Sequence, residues 1–382
     1  MDVFLLNLRL MKMHLFNPEN DVSLAYGHCH VTMSPLVRRL HDDGALLPLW
    51  YAAAGDLVYA PQSDNDWVDS MRRLFALDVA PVSRCCGAVG APWGWSCDAC
   101  RTLRSAGASV IDDEQVERLR MLSHRRISVE IMSGLSEMLD IKLPPVPRVV
   151  TSVAEVEDCM REWGTVYVKA PWSSSGRGVF PVDCVTSSVE RRISGILRRQ
   201  GAVTVEMALN KKLDFAMLFY SENGRVTMRG YSLFFNSSGD AYGGNIMATG
   251  SELENMIVDA GASRSELHAV AAALECLLSA LVADCYEGYF GVDMLVTDDG
   301  MIAPCVELNL RMTMGVVAML WREHYLHEAS TGIFRVSTVQ PDPLVPVVEA
   351  GRLKSGVLAL TPSISGGFFF TVEARSALSE LK

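Results

Sequence analysis

GVDMLVTDDGMIAPCVELNLR, residues 291–311, sets apolar runs on either side of Asp298-Asp299-Gly300, the pattern of two antiparallel strands joined by a tight turn. With the turn centred on Asp299 and Gly300, Asp293 falls opposite Val306 or Glu307. Like charges set cross-strand repel each other, so something positive should sit between Asp293 and Glu307. Strand alternation puts Glu307, Asn309 and Arg311 on one face, pointing the same way as Asp293. Hard oxygen ligands from a few side chains, with the remaining positions left to phosphate and water, are what magnesium favours. An exposed polar strand face is the bland alternative. Against it stand the strongly apolar neighbours, among which an unpaired carboxylate would be costly.

Upstream, residues 166–179 read VYVKAPWSSSGRGV. An apolar strand here delivers Lys169 into a loop of serines and glycines, whose freed backbone N–H groups can cradle phosphate oxygens while the lysine supplies a point charge. The lysine precedes the glycines, so this is no Walker A loop.

In residues, order and separation these two segments resemble the ATP-grasp superfamily. The resemblance spans residues 122–320. It implies an ATP site in which Lys169, Ser173, Ser174, Ser175, Gly176 and Gly178 meet the phosphates, and in which Asp293, Glu307 and Asn309 hold magnesium or manganese. It also implies a hinge against the adenine at Glu206, Met207 and Ala208, and a ribose carboxylate for which Asp214 is the nearest candidate. The family's further phosphate-binding lysine is replaced here by Arg125 or Arg126, either of which keeps the charge. The flap has serines where many relatives have glycines. Arg311 is placed to steady developing negative charge. Arg229, on a strand over residues 226–235, is read either as reaching the γ-phosphate or a substrate carboxylate, or as an exposed strand arginine.

The implied fold is an N-terminal α/β domain of the kind that precedes an ATP-grasp unit (1–113), an ATP-grasp fold of two α+β lobes (114–330), and C-terminal strands packing on the body (331–382). The implied activity is ATP-dependent ligation. A substrate carboxylate becomes an acylphosphate and an amine or thiol then attacks it. A kinase-like phosphotransfer, or a catalytically silent nucleotide-binding regulator, would use the same site.

Composition limits the partners. The 34 basic and 45 acidic residues leave a net charge of -11, which repels a phosphate backbone, so nucleic acid is not expected. The opening MDVFLLNLRLMKMHLF carries charges throughout, lacks a small-residue cleavage site and reads as a strand. The most apolar stretch, 269–283, is broken by Glu275 and falls short of the ~20 residues that span a bilayer, so no membrane partner is expected. The ten cysteines show no disulfide framework, and reduced thiols in a cytoplasmic protein fit best. Among them Cys85, Cys86, Cys97 and Cys100 are half a zinc knuckle, the other half being an adjacent pair without the CxxC spacing. The small-molecule substrates leave a homodimer open.

Short apolar runs at 14–16, 46–51 and 57–59 alternate with a helical stretch at 67–77, as in a small α/β layer. Helix is expected over 113–139, then a proline-rich connector at 143–147. A strand at 203–206, hairpin turns at 222–224 and 238–240, and a long helix over 263–282 follow. In the first layer Asn17-Pro-Glu-Asn-Asp21 and Pro92-Trp-Gly-Trp-Ser96 sit at strand ends, with Ser96 as a helix cap. They are read as the walls of the substrate cleft, or else as turn and core residues.

Overall fold

The computed structural model describes residues 10–173, 178–236, 242–341 and 343–376. Its first layer is a four-stranded parallel sheet, β1 (Lys12–Leu15), β2 (Leu57–Tyr59), β3 (Ala80–Val82) and β4 (Val89–Pro92), in the order β3-β2-β1-β4. Helices α1 (Asn20–Tyr26), α2 (Pro35–Gly44), α3 (Asn65–Phe75) and α4 (Cys97–Ser105) accompany it. Ser96 caps α4, its hydroxyl accepting from the N–H of Ala99 at 3.3 Å. Residues 46–51 form a 3-10 turn, Leu47–Trp50, in place of the apolar strand-like run expected there. Pro48 has no N–H for a ladder, and all four residues of the turn are buried. Trp50 donates from Nε1 to the carbonyl of Leu360 at 2.7 Å, tying this layer to the C-terminal strands.

The expected helix over 113–139 divides into α5 (Asp113–Leu122) and α6 (Arg126–Met138). The break at residues 123–125 has a consequence for the site. A second, antiparallel sheet follows, β5 (Arg148–Val150), β6 (Val166–Lys169), β7 (Val179–Val182) and β8 (Val203–Met207), ordered β5-β8-β6-β7. It is backed by α7 (Val153–Trp163) and α8 (Ser187–Gln200), and its core of Val156, Val166, Val168, Ile193 and Val205 is separate from the others.

The third sheet has nine strands: β9 (Lys211–Glu222), β10 (Arg225–Asn236), β11 (Tyr242–Met247), β12 (Gly288–Thr297), β13 (Ile302–Asn309), β14 (Thr331–Ser337), β15 (Val347–Glu349), β16 (Arg352–Ala359) and β17 (Phe369–Arg375). Their order is β13-β12-β9-β10-β11-β14-β17-β16-β15, so the strands after residue 331 are hydrogen-bonded members of the sheet. Asn223 and Gly224 turn β9 into β10 with φ of 53° and 75°, the two left-handed positions that a two-residue hairpin of this twist requires. The turn expected at 238–240 lies outside the described residues, as does most of the opening segment before β1.

Helices α9 (Gly250–Asp259), α10 (Arg264–Val282) and α11 (Met314–Tyr325) complete the fold. With 19 residues, α10 is longer than the apolar run suggested and is long and apolar enough to cross a membrane by length and composition. One stripe of it, Leu267, Val270, Leu274, Leu278 and Val282, is buried in a core with Phe215, Phe219 and Phe290 of the sheet, as an amphipathic covering helix would be. On the other face of the sheet α11 shares a core with the first layer, where Phe16, Trp50 and Trp93 meet Trp321, Phe334 and Phe370.

The expectation of reduced thiols needs correction. Cys29, in the loop after α1, is disulfide-bonded to Cys97 at the start of α4, with Cα atoms 5.1 Å apart. That bond also takes Cys97 out of any zinc set with Cys85, Cys86 and Cys100. Among the described residues no cluster of three or more His, Cys, Asp or Glu could hold a metal.

Candidate active site

The register of the β12–β13 hairpin sets Asp293 directly opposite Glu307. Asn309, two residues on and on the same face, donates from Nδ2 to Oδ2 of Asp293 at 2.9 Å. Burial, then the facing Glu307, push the Asp293 carboxyl up to about 7, against the Asn309 bond and the charges of Arg311 and Arg125. Glu307 itself is met by Nη2 of Arg125 at 2.9 Å.

Arg125 occupies the break between α5 and α6, and its side chain is buried, whereas Arg126 is exposed. Besides Glu307, it donates from Nε to the carbonyl of Ala170 at 3.0 Å and from Nη2 to Oγ of Ser173 at 3.3 Å. The two ends of the flap also meet. Ala170 N–H donates to Gly178 O at 2.8 Å, and a Cβ on Gly178 would lie 2.6 Å from that of Ser173, so glycine is needed at this neck. Ser174, Ser175 and Gly176 lie outside the described residues.

Lys169, at the end of β6, is buried with Nζ 2.5 Å from Oε2 of Glu206 and 3.4 Å from the carbonyl of Val306. It therefore bridges the small sheet to the strand carrying Glu307. Met207 ends β8, and Ala208 donates its N–H to Thr165. Beside them opens a cleft of about 510 Å³ lined by Pro144, Pro145, Met207, Ala208, Asn210, Thr297 and Met301. Asp214 faces Leu295 across the β9–β12 ladder and is held by Lys211 at 2.6 Å.

Arg229 is not brought into this group. It is exposed at a bulge of β10, with its charge beside Tyr289. Tyr289 stands four residues along β12 from Asp293, about 13 Å at ~3.3 Å per residue.

Arg311 reaches back to the first layer. Its Nε and Nη2 pair with Oδ1 and Oδ2 of Asp21 at 3.0 and 2.7 Å. Burial works against the Arg311 charge, and Asp21 together with the nearby Glu307 and Asp293 raises its pKa above the ordinary guanidinium value. A small cavity at this junction is lined by Asp21, Ser173, Glu307, Asn309 and Arg311. No local signal in the sequence couples positions 21 and 311.

The other residues expected to wall a substrate cleft are mostly structural. Asn17 exchanges two hydrogen bonds with the backbone of Gly94, at 2.8 and 3.2 Å, which clasps the two loops together. Trp93 is 3% exposed and packs edge-on against Phe16 with ring centroids 5.1 Å apart. Its reading as flat surface for a ligand is corrected to core. Trp93→Ala is expected to lower stability by about 3 kcal/mol, the usual cost of an aromatic-sized cavity, with unchanged kinetics per folded molecule. Thermal melts beside steady-state kinetics check this, and a raised KM at wild-type stability would restore the ligand role.

No known protein family matches the chain, and no curated protein does. Solved structures do. Biotin carboxylase from Campylobacter jejuni, in a complex with β-γ-ATP, superposes with a TM-score of 0.52 at 13% identity, covering 96% of this chain and 88% of that one. The biotin carboxylase domain of Hydrogenobacter thermophilus 2-oxoglutarate carboxylase, a dimer with MgADP, ADP and bicarbonate, gives 0.52 at 12% identity, covering 96% and 87%. At such identity the likeness is one of fold. The chain has the ATP-grasp fold, an α/β layer followed by two α+β lobes.

Proposed function

We propose that this protein is an ATP- and magnesium-dependent ligase that activates a small-molecule carboxylate for attack by an amine or thiol. The observation that carries the reading is the half-buried confrontation of Asp293 and Glu307, strand to strand, with uncharged Asn309 as the donor to Asp293. Paired carboxylates of this kind are stable together only when protonated or when a cation joins them. The donor set fits magnesium or manganese: two carboxylates, and the Oδ1 of an Asn309 whose Nδ2 is already spent on Asp293. When bound, the metal would neutralise charge on the phosphate oxygens.

Around that pair stand Lys169, Arg125 and Arg311 against Asp21, Glu206, Asp293 and Glu307, three cations to four carboxylates. A polyphosphate alone would meet a site with no surplus positive charge, which favours nucleotide and divalent metal arriving together. In this reading Lys169 and Arg125 lie along the phosphates, and Met207 and Ala208 flank the base in the cleft beside them. Arg311 holds the carboxylate whose oxygen attacks the γ-phosphorus as ADP departs. An amine or thiol then adds to the carbonyl carbon of the acylphosphate, and inorganic phosphate leaves as the nucleophile gives up its proton. Two structures of like fold carry an ATP-type ligand and MgADP, which supports the nucleotide part of the reading.

Hydroxylamine tests the reaction type. Added with ATP, magnesium and pooled carboxylic acids, it is expected to yield hydroxamates in step with ADP. Phosphorylated product accumulating without hydroxamate would replace ligation by kinase-like transfer.

A further inference from the structure

Arg311 is held by a carboxylate from 290 positions earlier in the chain, and that partner constrains what can bind there. We propose that the activated substrate is a zwitterion of the α-amino acid type, its carboxylate taking Arg311 and its ammonium taking Asp21. This rests on the carboxylate-activating reading above.

The two side chains are each about four-fifths buried or more and grip each other through two hydrogen bonds. The cavity at the junction amounts to about 10 Å³, roughly one water, so a substrate must part the pair to enter. Asp21 is not free to follow Arg311 or retreat to solvent. It lies in α1, whose Ser23 hydroxyl bonds to Asp98 at 3.4 Å and whose following loop is fastened by the Cys29–Cys97 bond. Asp98 also accepts the N–H groups of His30 and Val31 at 2.9 and 3.2 Å.

A substrate carrying only a carboxylate would take Arg311 and leave Asp21 largely buried and unpaired, in the cavity it shares with Glu307. That penalty weakens binding on the order of 100-fold. A zwitterion exchanges one ion pair for two and strands nothing. Because Asp21 and Arg311 touch, the charges of the ligand must also lie close together, as they do across the single carbon of an α-amino acid. Discrimination thus comes from the cost imposed on the wrong ligand as much as from contacts with the right one.

The test measures ADP release and hydroxamate formation with ATP, magnesium and hydroxylamine, against three separate pools: free L-amino acids, their N-acetyl derivatives, and short monocarboxylates. Free amino acids are expected to show kcat/KM about 100-fold above the other two. Asp21→Asn, nearly isosteric, and Asp21→Ala are expected to compress that ratio towards one, with melts confirming that each variant is folded. Acetylated acids or monocarboxylates matching free amino acids in the wild type would overturn the inference and leave carboxylate activation standing. So would ATP and magnesium binding by calorimetry with no stimulation by the amino-acid pool. Failure to bind ATP with magnesium would instead overturn the underlying reading.

Discussion

Replacing Asp293 by Asn together with Glu307 by Gln is expected to lower metal-dependent ATP turnover by at least about 10³-fold, some 4 kcal/mol. Asp293→Asn alone should stabilise the metal-free protein, because it removes the repulsion with Glu307 and leaves Glu307 its pair with Arg125. The pH dependence separates these effects. An unfolded aspartate loses its proton near ~4, whereas Asp293 in the folded protein holds it up to about 7. Between those values the folded state binds a proton that the unfolded state has lost, so wild-type stability falls as pH rises through that window. Above it the penalty is complete, on the order of 4 kcal/mol for ~3 units. Asp293→Asn lacks this titration, so its advantage in Tm over the wild type should grow from pH 4 to pH 7 and then level off. Melts in chelator across that range, repeated with added magnesium, give the answer. Magnesium should rescue the wild type at pH 8 and leave the double variant unmoved. Parallel pH profiles for wild type and Asp293→Asn would rule out the assignment.

The second large effect is expected at Arg125. This side chain holds Glu307, the Ala170 carbonyl and the Ser173 hydroxyl together, joining the start of α6, the neck of the serine-glycine loop and strand β13. Arg125→Ala leaves Glu307 without its cation and a buried carbonyl without a donor. A cost of about 3 kcal/mol is expected, the low end for a broken buried pair since Glu307 is partly exposed. Nucleotide affinity should fall by a further ~10- to 100-fold, the range for a lost charge-assisted hydrogen bond. Arg126→Ala, one residue on and exposed, should change stability by less than about 0.5 kcal/mol. Melts and calorimetric titration with ATP and magnesium on the two variants decide between them. Equal losses would mean that the buried position of Arg125 is unimportant to the nucleotide.

Much of the fold was legible because its signals are local. The strand Val166–Lys169, the turn at Asn223 and Gly224 and the cap at Ser96 follow from alternation, left-handed backbone preference and side-chain capping, each acting over a few residues. Where local preference misled, a neighbour outweighed it. The 3-10 turn at Leu47–Trp50 is imposed by Pro48 and by the core around Trp321. The single expected helix over 113–139 breaks so that Arg125 can turn inward.

The hairpin of residues 291–311 shows how far sequence reaches by itself. Alternation with a period of two put Asp293, Glu307 and Asn309 on one face, and the ATP-grasp resemblance followed from that hairpin with the lysine and serine-glycine loop before it. What only the tertiary structure decided is which charges those residues meet. Glu307 meets Arg125, Lys169 meets Glu206, Arg311 meets Asp21 and Arg229 meets none of them. These partners come from different lobes and from separations as long as 290 residues. Period and propensity act within a strand or a helix, whereas the meeting of two distant charges is set by how three sheets are brought against one another.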